Sequence, residues 1–255
     1  MTDLRVERDG PALWLTIDRE ERRNALSAAG LRGILAAVSG LDPAVRAVVI
    51  TGAGERVFCS GADLGQFRDS TVLEQHEAGG LLTEVLLAIR ACPAPVIARV
   101  QGMCLAGGVG LALSCDVVLA SSNAEFGLPE AGLGLWPFIV SALLVRHVSP
   151  KHAMDLMLTG DRVDAETAGR IGLASRVFPV QTYDADVTAY VAKVVAAAPV
   201  AVRLGKAAFA AAAETPLAPA LAAMHAQLSL VATTQDAAEG IAAFFEKRPP
   251  RWTGR

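Results

Sequence analysis

The chain has 255 residues, of which 53% are hydrophobic, 19% charged and 5% aromatic. A chain of that length buries about 70–75% of its unfolded surface, so it can hold a large core, and its hydropathy excludes a disordered protein. Its formal net charge of −3 offers no bulk basic face, and no binding to nucleic acid is expected.

Two short alternating segments, 4–7 and 12–17, flank the turn signal Asp9-Gly10-Pro11 and predict an opening hairpin. Ser27 then caps a helix with apolar positions Leu31, Ile34, Leu35 and Val38, which Gly40 stops. The β-branched run 47–51 reads as a buried strand, and a brief strand at 57–59 leads into Ser60-Gly61-Ala62-Asp63. A helix over 73–90 ends before Pro93 and Pro95, and the strand 96–100 feeds a second glycine-rich turn. A helical run 107–114 and a strand 117–120 follow, and the last strand signal spans 176–180. Short strands alternating with helices imply βαβ units with mainly parallel pairing. Beyond them the pattern is helical and alanine-rich over 184–198, 200–213, 217–232 and 235–246, so a boundary is placed near residue 190.

The longest uncharged stretch, 215–235, is interrupted by Pro216, Pro219, His225 and Gln227, so no membrane-spanning helix is expected. The opening stretch MTDLRVERDG carries charges where a secretory signal is apolar, which points to a cytoplasmic protein. Cys59, Cys92, Cys104 and Cys115 form no CxxC pair and no zinc spacing with histidine, and they read as small buried residues.

The most informative feature is the pair of glycine-containing turns, each following an apolar strand. The N-terminus of a helix leaves backbone N–H groups unsatisfied, so the turn at Gly107 and Gly108 suits an anion or a polarised oxygen. A phosphate loop is excluded because no lysine follows Gly107, and the dinucleotide pattern GxGxxG fails at Val57 and at Leu113. The serine-hydrolase pattern GxSxG is absent as well. What remains is stabilisation of an oxygen without a nucleophile.

RNALS at 23–27, VVITGAG at 48–54, FCSGADL at 58–64, GMCLAGGVGLALSCD at 102–116 and FGLPEAGLG at 126–134 together resemble the crotonase, or enoyl-CoA hydratase/isomerase, superfamily. The likeness continues through 158–179 and the tail FFEKRPPRWTGR, and so covers nearly the whole chain in order. The resemblance implies an α/β fold, a crotonase-like spiral of ββα units over 1–190 that binds acyl-CoA and carries the catalysis. A C-terminal all-helical region, 191–255, would serve oligomerisation and cover the active site. It implies oxyanion donors at the backbone N–H groups of Ala62 and Gly107, and a proton carrier at Glu130. The coenzyme A moiety would lie along Arg23, Ala25 and the turn Ser60, Gly61, Ala62, Asp63 and Leu64, with Gly107 and Gly108 at the thioester. Asp63 is expected to hold its turn. Lys247, Arg248, Arg251 and Arg255 form a basic cluster in the tail that suits the coenzyme's phosphates, with Lys247 the assigned contact. No metal and no cofactor besides the coenzyme A of the substrate is implied, and the family's assemblies imply a homotrimer or a hexamer of paired trimers.

The family's hydratases use two glutamates, and here the first position is Gly110, in GGVGL, while the second is Glu130. Adding water requires activation of the water and a proton for the α-carbon, whereas shifting a double bond needs only removal and return of a proton, which one carboxylate performs. The preferred reaction is therefore Δ3–Δ2 enoyl-CoA isomerisation. Hydration of a 2-enoyl-CoA is the alternative, and a non-catalytic acyl-CoA-binding member is the reading from another class. The aspartate that dienoyl-CoA isomerases and aromatic dehalogenases place eight residues beyond Glu130 is Phe138 here. Trp136 and Phe138 are expected to shape the acyl pocket, and His76, Glu74 and Glu77 are alternative acids.

Overall fold

The computed structural model describes residues 3–255, the side chains of Gln66 and Phe67 excepted. Strands β1 (Leu4–Asp9) and β2 (Ala12–Ile17) form the expected hairpin, with Leu4 opposite Ile17 and Asp9 opposite Ala12. Helix α1 (Ala28–Ser39) starts where Ser27 Oγ accepts the Gly30 N–H, buries Leu31, Ile34 and Val38, and stops at Gly40. Strands β3 (Ala47–Gly52) and β4 (Val57–Cys59) lead to α2 (Leu64–Asp69) and α3 (Val72–Ala91). Thr71 and Glu74 close a capping box at the start of α3. Strands β5 (Val96–Val100) and β6 (Met103–Leu105) lead to α4 (Gly107–Ser114). Strands β7 (Val117–Ser121) and β8 (Glu125–Gly127) lead, through a 3-10 turn Pro129–Leu133, to α5 (Phe138–His147) and α6 (Pro150–Thr159).

These three strand pairs are the turns of the expected spiral. Each puts its longer strand in a six-stranded sheet, order β1-β2-β3-β5-β7-β10, and its short strand in a four-stranded sheet, order β4-β6-β8-β9. Strands β9 (Arg162–Asp164) and β10 (Arg176–Phe178), joined through α7 (Ala165–Ile171), complete the two sheets. From β2 to β10 the large sheet is parallel. Both of its faces are covered, which is why β3 and β5 read as unbroken apolar runs. Val48, Ile50, Val96 and Ala98 face the main core with α1 and α3, while Val49, Ile97 and Leu119 face the opposite side.

That opposite side is closed by α8 (Tyr183–Val195), through Tyr183, Val187 and Val191, and the Tyr183 hydroxyl donates to Leu119 O at 2.8 Å. Residue 190 therefore falls inside a helix that belongs to the sheet. The helices that leave the sheet are α9 (Pro199–Ala213), α10 (Leu217–Ala232) and α11 (Gln235–Glu246). Each buries few residues, Val200 in α9 and Ala220 in α10, and Phe209, Leu217, Leu228, Phe244 and Phe245 stand exposed on them. The tail returns across α11, where Trp252 Nε1 donates to Ala196 O at 2.7 Å. Among the described residues no single helix is long and apolar enough to cross a membrane.

Candidate active site

The site follows from the register of the small sheet. Strands β4, β6 and β8 run parallel, with Cys59 beside Cys104 and Cys104 beside Phe126. Three chain segments therefore leave the sheet at one edge: Ser60 to Leu64, Ala106 to Gly108, and Leu128 to Glu130. The C-terminal edge of parallel strands is where α/β folds place their ligands.

The first two segments touch. Gly61, at φ +91°, has no side chain, and a β-carbon there would stand 2.7 Å from Ala106 Cβ and 3.1 Å from Gly107 N. Its carbonyl accepts the Leu26 N–H at 2.8 Å and Ser60 N donates to Arg23 O at 3.2 Å, so the segment 23–26 lies along this turn. Arg23, Ala25 and the 60–64 turn, expected to share the coenzyme, are thus brought together. Ala106 sits at φ +51°, uncommon for a side chain with a Cβ, and its N–H donates to Gly127 O at 2.9 Å. That reversal starts α4 and tethers it to β8.

Ala62 bridges to Leu26 through the carbonyl of the residue before it, and Gly107 is the first residue of α4. Neither N–H meets a protein acceptor among the described residues. Leu26 Cδ1 and Leu82 Cδ2 lie 3.6 and 3.8 Å from the place a Gly107 side chain would take. The free donor of Gly107 therefore has apolar neighbours, beside which a hydrogen bond to a charged oxygen is strong, while Ala62 is exposed.

Glu130 is the second residue of the 3-10 turn, behind Pro129. It is half-buried, and its Oε2 is fully enclosed with no hydrogen-bond partner. Burial raises its pKa above the usual 4.5, against a smaller lowering from its own backbone N–H. A buried carboxylate without a partner is costly, and native chains keep such groups where chemistry uses them. Glu74, by contrast, is spent on the Thr71 cap, which lowers its pKa, and His76 and Glu77 are exposed on α3. Gly110 is buried on α4 with Val140 of α5 against it. No group of three or more His, Cys, Asp or Glu that could hold a metal occurs among the described residues.

Other expected residues fare differently. Asp63 Oδ1 accepts the Gly65 N–H and its Oδ2 accepts from Arg19, as suits a residue that holds its turn. Leu64 is exposed at the start of α2, and Trp136 packs half-buried on the core. Phe138 does not wall an enclosed pocket in this protomer, since it is 76% exposed. The inward stripe of α5 is Val140, Leu143 and Leu144, and residue 138 lies about half a turn away from it. Lys247 closes α11 in a left-handed conformation and is exposed, on a helix that packs on α9 and α10. The basic cluster of the tail is partly used internally: Arg248 pairs with Glu239 and Glu246 and holds the Glu239 carboxyl down at about 2. Arg19 and Val140 carried no signal in the sequence, because each acts through residues distant in the chain.

The model of the enoyl-CoA hydratase/isomerase family matches residues 9–255. The chain belongs to that family. Crotonyl-CoA hydratase of Syntrophomonas wolfei is 37% identical over 246 residues, 95% of each chain. The crystal structure of an enoyl-CoA hydratase of Mycobacterium smegmatis, 37% identical, superposes with a TM-score of 0.94 over 98% of each chain. That of an enoyl-CoA hydratase from Bacillus anthracis, 30% identical, reaches 0.96 over 99% of this chain and 100% of that one. The protein is thus an enzyme of the enoyl-CoA hydratase/isomerase family with the crotonase fold.

Proposed function

We propose that the protein shifts the double bond of an enoyl-CoA thioester from Δ3 to Δ2 by proton transfer on Glu130. The ionised Glu130 takes a proton from the α-carbon, and the C–H electron pair flows into the thioester to form an enolate. The N–H groups of Ala62 and Gly107 hold the oxyanion, and each such donor is worth about 3–4 kcal/mol in the transition state. Glu130, now a carboxylic acid, returns the proton to the γ-carbon as the carbonyl re-forms and the double bond moves into conjugation. Formula and enzyme are unchanged at the end of the cycle.

The observation that carries this reading is Gly110, a glycine packed against Val140 where a second acid would be needed to hold and activate water. Coenzyme A runs along Arg23, Ala25 and the turn from Ser60 to Leu64, with Lys247 of a neighbouring protomer in the assembly at its phosphates and Trp136 bounding the acyl chain. The exposed apolar faces of α9 to α11 support a homotrimer or hexamer, which light scattering checks: a monomer overturns it. The names of the relatives favour a second reading, hydration of a 2-enoyl-CoA, since the Syntrophomonas wolfei protein is a crotonyl-CoA hydratase.

Incubation with 2-enoyl- and 3-enoyl-CoA panels in deuterated water, read by mass spectrometry, separates the two. Isomerisation keeps the formula and incorporates deuterium; hydration adds a water. Binding without either reaction leaves only the non-catalytic reading.

A further inference from the structure

Arg19 lies in none of the motifs that carry the family likeness, yet it sits at the junction of the coenzyme segment and the first oxyanion turn. Its side chain and that of Asp63 are each only 12% exposed. Nη1 donates to Ala25 O at 2.8 Å, Nη2 donates to Asp63 Oδ2 at 3.0 Å, and Nε faces the Asp3 carboxylate at 3.5 Å. The backbone of Arg19 is fixed in turn, because its N–H donates to Asn24 Oδ1 at 3.2 Å. Asn24 is fully buried and donates to Ala53 O and Val57 O, which ties the segment to the ends of β3 and β4.

Two effects meet at this guanidinium. One is positional: Ala62 is adjacent to Asp63, so gripping Asp63 on one side and Ala25 on the other fixes the direction of the Ala62 N–H. The other is electrostatic. The Asp63 carboxylate belongs to the residue next to an oxyanion donor, and its negative charge opposes the charge that develops on the thioester oxygen. A partly buried, forked arginine pairs with a carboxylate in fixed geometry and offsets that field.

We propose that Arg19 is a positioning residue for the reaction, which acts through Asp63 and the Ala25 carbonyl to hold the Ala62 N–H on the thioester oxygen and to neutralise the adjacent carboxylate. This rests on the assignment of Ala62 as an oxyanion donor. All three nitrogens of the Arg19 guanidinium face protein oxygens, of Ala25, Asp63 and Asp3. The electrostatic part distinguishes it from a residue that only stabilises the fold, because removing Asp63's charge then compensates for losing Arg19.

The test uses the full-length variants Arg19→Gln, Arg19→Lys, Asp63→Asn and the double variant Arg19→Gln/Asp63→Asn. The first readout is the carbonyl stretch of bound butyryl-CoA labelled with carbon-13 at the thioester, which reports polarisation without turnover. The second is the division of any loss between kcat and KM on the enoyl-CoA that the wild type turns over. Arg19→Gln is expected to reduce the carbonyl downshift and to lower kcat about 10-fold or more, with KM changed far less. Arg19→Lys falls between, and the double variant regains part of both losses relative to Arg19→Gln. An unchanged carbonyl shift in Arg19→Gln, or losses that simply multiply in the double variant, overturns the proposal. If Arg19→Gln does not fold, Arg19→Lys with and without Asp63→Asn carries the same comparison, with the same two outcomes. A wild-type protein that binds butyryl-CoA with no downshift overturns the donor assignment itself, and is thereby distinguished from a failure at Arg19.

Discussion

A β-carbon added to Gly110 would stand 3.1 Å from Cγ2 of Val140, so α4 and α5 close over the position where the family's hydratases carry their first glutamate. The space is filled by a valine from the facing helix. Gly110→Glu alone must therefore displace Val140, at a cost of about 1–3 kcal/mol for overpacking, and must also bury a carboxylate. Adding Val140→Gly relieves the overlap. Thermal unfolding of the two single variants and the double is expected to be non-additive, with the double variant more stable than the sum of the singles. Water addition to a 2-enoyl-CoA is expected to rise in the double variant above either single one.

The proposed oxyanion donors are backbone groups, so changing Ala62 tests them poorly, but Gly61 offers a lever. Gly61→Ala meets Ala106 Cβ at 2.7 Å and requires φ +91° of a residue with a β-carbon. The two turns must shift apart, which moves Ala62 relative to Gly107. We expect kcat to fall by about 100-fold or more, the cost of losing an oxyanion donor. The circular dichroism spectrum stays that of the wild type. Unchanged kcat in a folded variant would show that the two turns do not act together.

The long elements were legible because their causes are local. Ser27 and Gly40 bound α1, Pro93 and Pro95 follow the end of α3, and burial on both faces makes β3 and β5 continuous apolar runs. The small sheet was not fully legible: β6, β8 and β9 have three residues each, too few to show a period, and pairing with neighbours decides them. The boundary expected near 190 fell within α8 because the alanine-rich composition masks the apolar stripe of Tyr183, Val187 and Val191 that binds this helix to the sheet. At the site, Ala62, Gly107 and Glu130 came from family likeness, while the register of Cys59, Cys104 and Phe126 that joins them is a long-range property. Arg19 escaped for the same reason, since Asp63 lies 44 positions away in the chain. Arg248 looked available for phosphate because pairing with Glu239 becomes visible only when the tail folds back.

One buried carboxylate gathers the last turns of the tail. Asp236 is 1% exposed, and its Oδ1 accepts from Thr253 N at 2.7 Å, Thr253 Oγ1 at 3.1 Å and Gly254 N at 3.1 Å. Asp236→Ala removes the acceptor of three hydrogen bonds whose donors sit on exposed residues, and each such hydrogen bond is worth about 0.5–1.5 kcal/mol. A lower melting temperature is expected, with faster proteolysis between Arg248 and Arg255. Asp236→Asn keeps one acceptor oxygen and is expected to fall between the two.

Glu130 ties reaction and stability to pH with opposite signs. Removal of the α-proton needs the carboxylate, and burial raises its pKa, so kcat/KM is expected to climb with pH along a limb centred above 4.5. For stability, a folded-state pKa above the unfolded one means that the folded chain holds this proton more tightly. The contribution is full below the unfolded value, near 4.5, and is lost as pH rises through the folded value. At neutral pH the ionised group is therefore a burden on the fold, and Glu130→Gln removes it. The variant is expected to lose deuterium incorporation and turnover while melting above the wild type at pH 7, with the difference closing as pH falls toward 4.5. Turnover that survives in Glu130→Gln would move the proton carrier elsewhere; a melting temperature below the wild type at pH 7 would mean that the carboxylate is stabilised by contacts other than those seen around its enclosed oxygen.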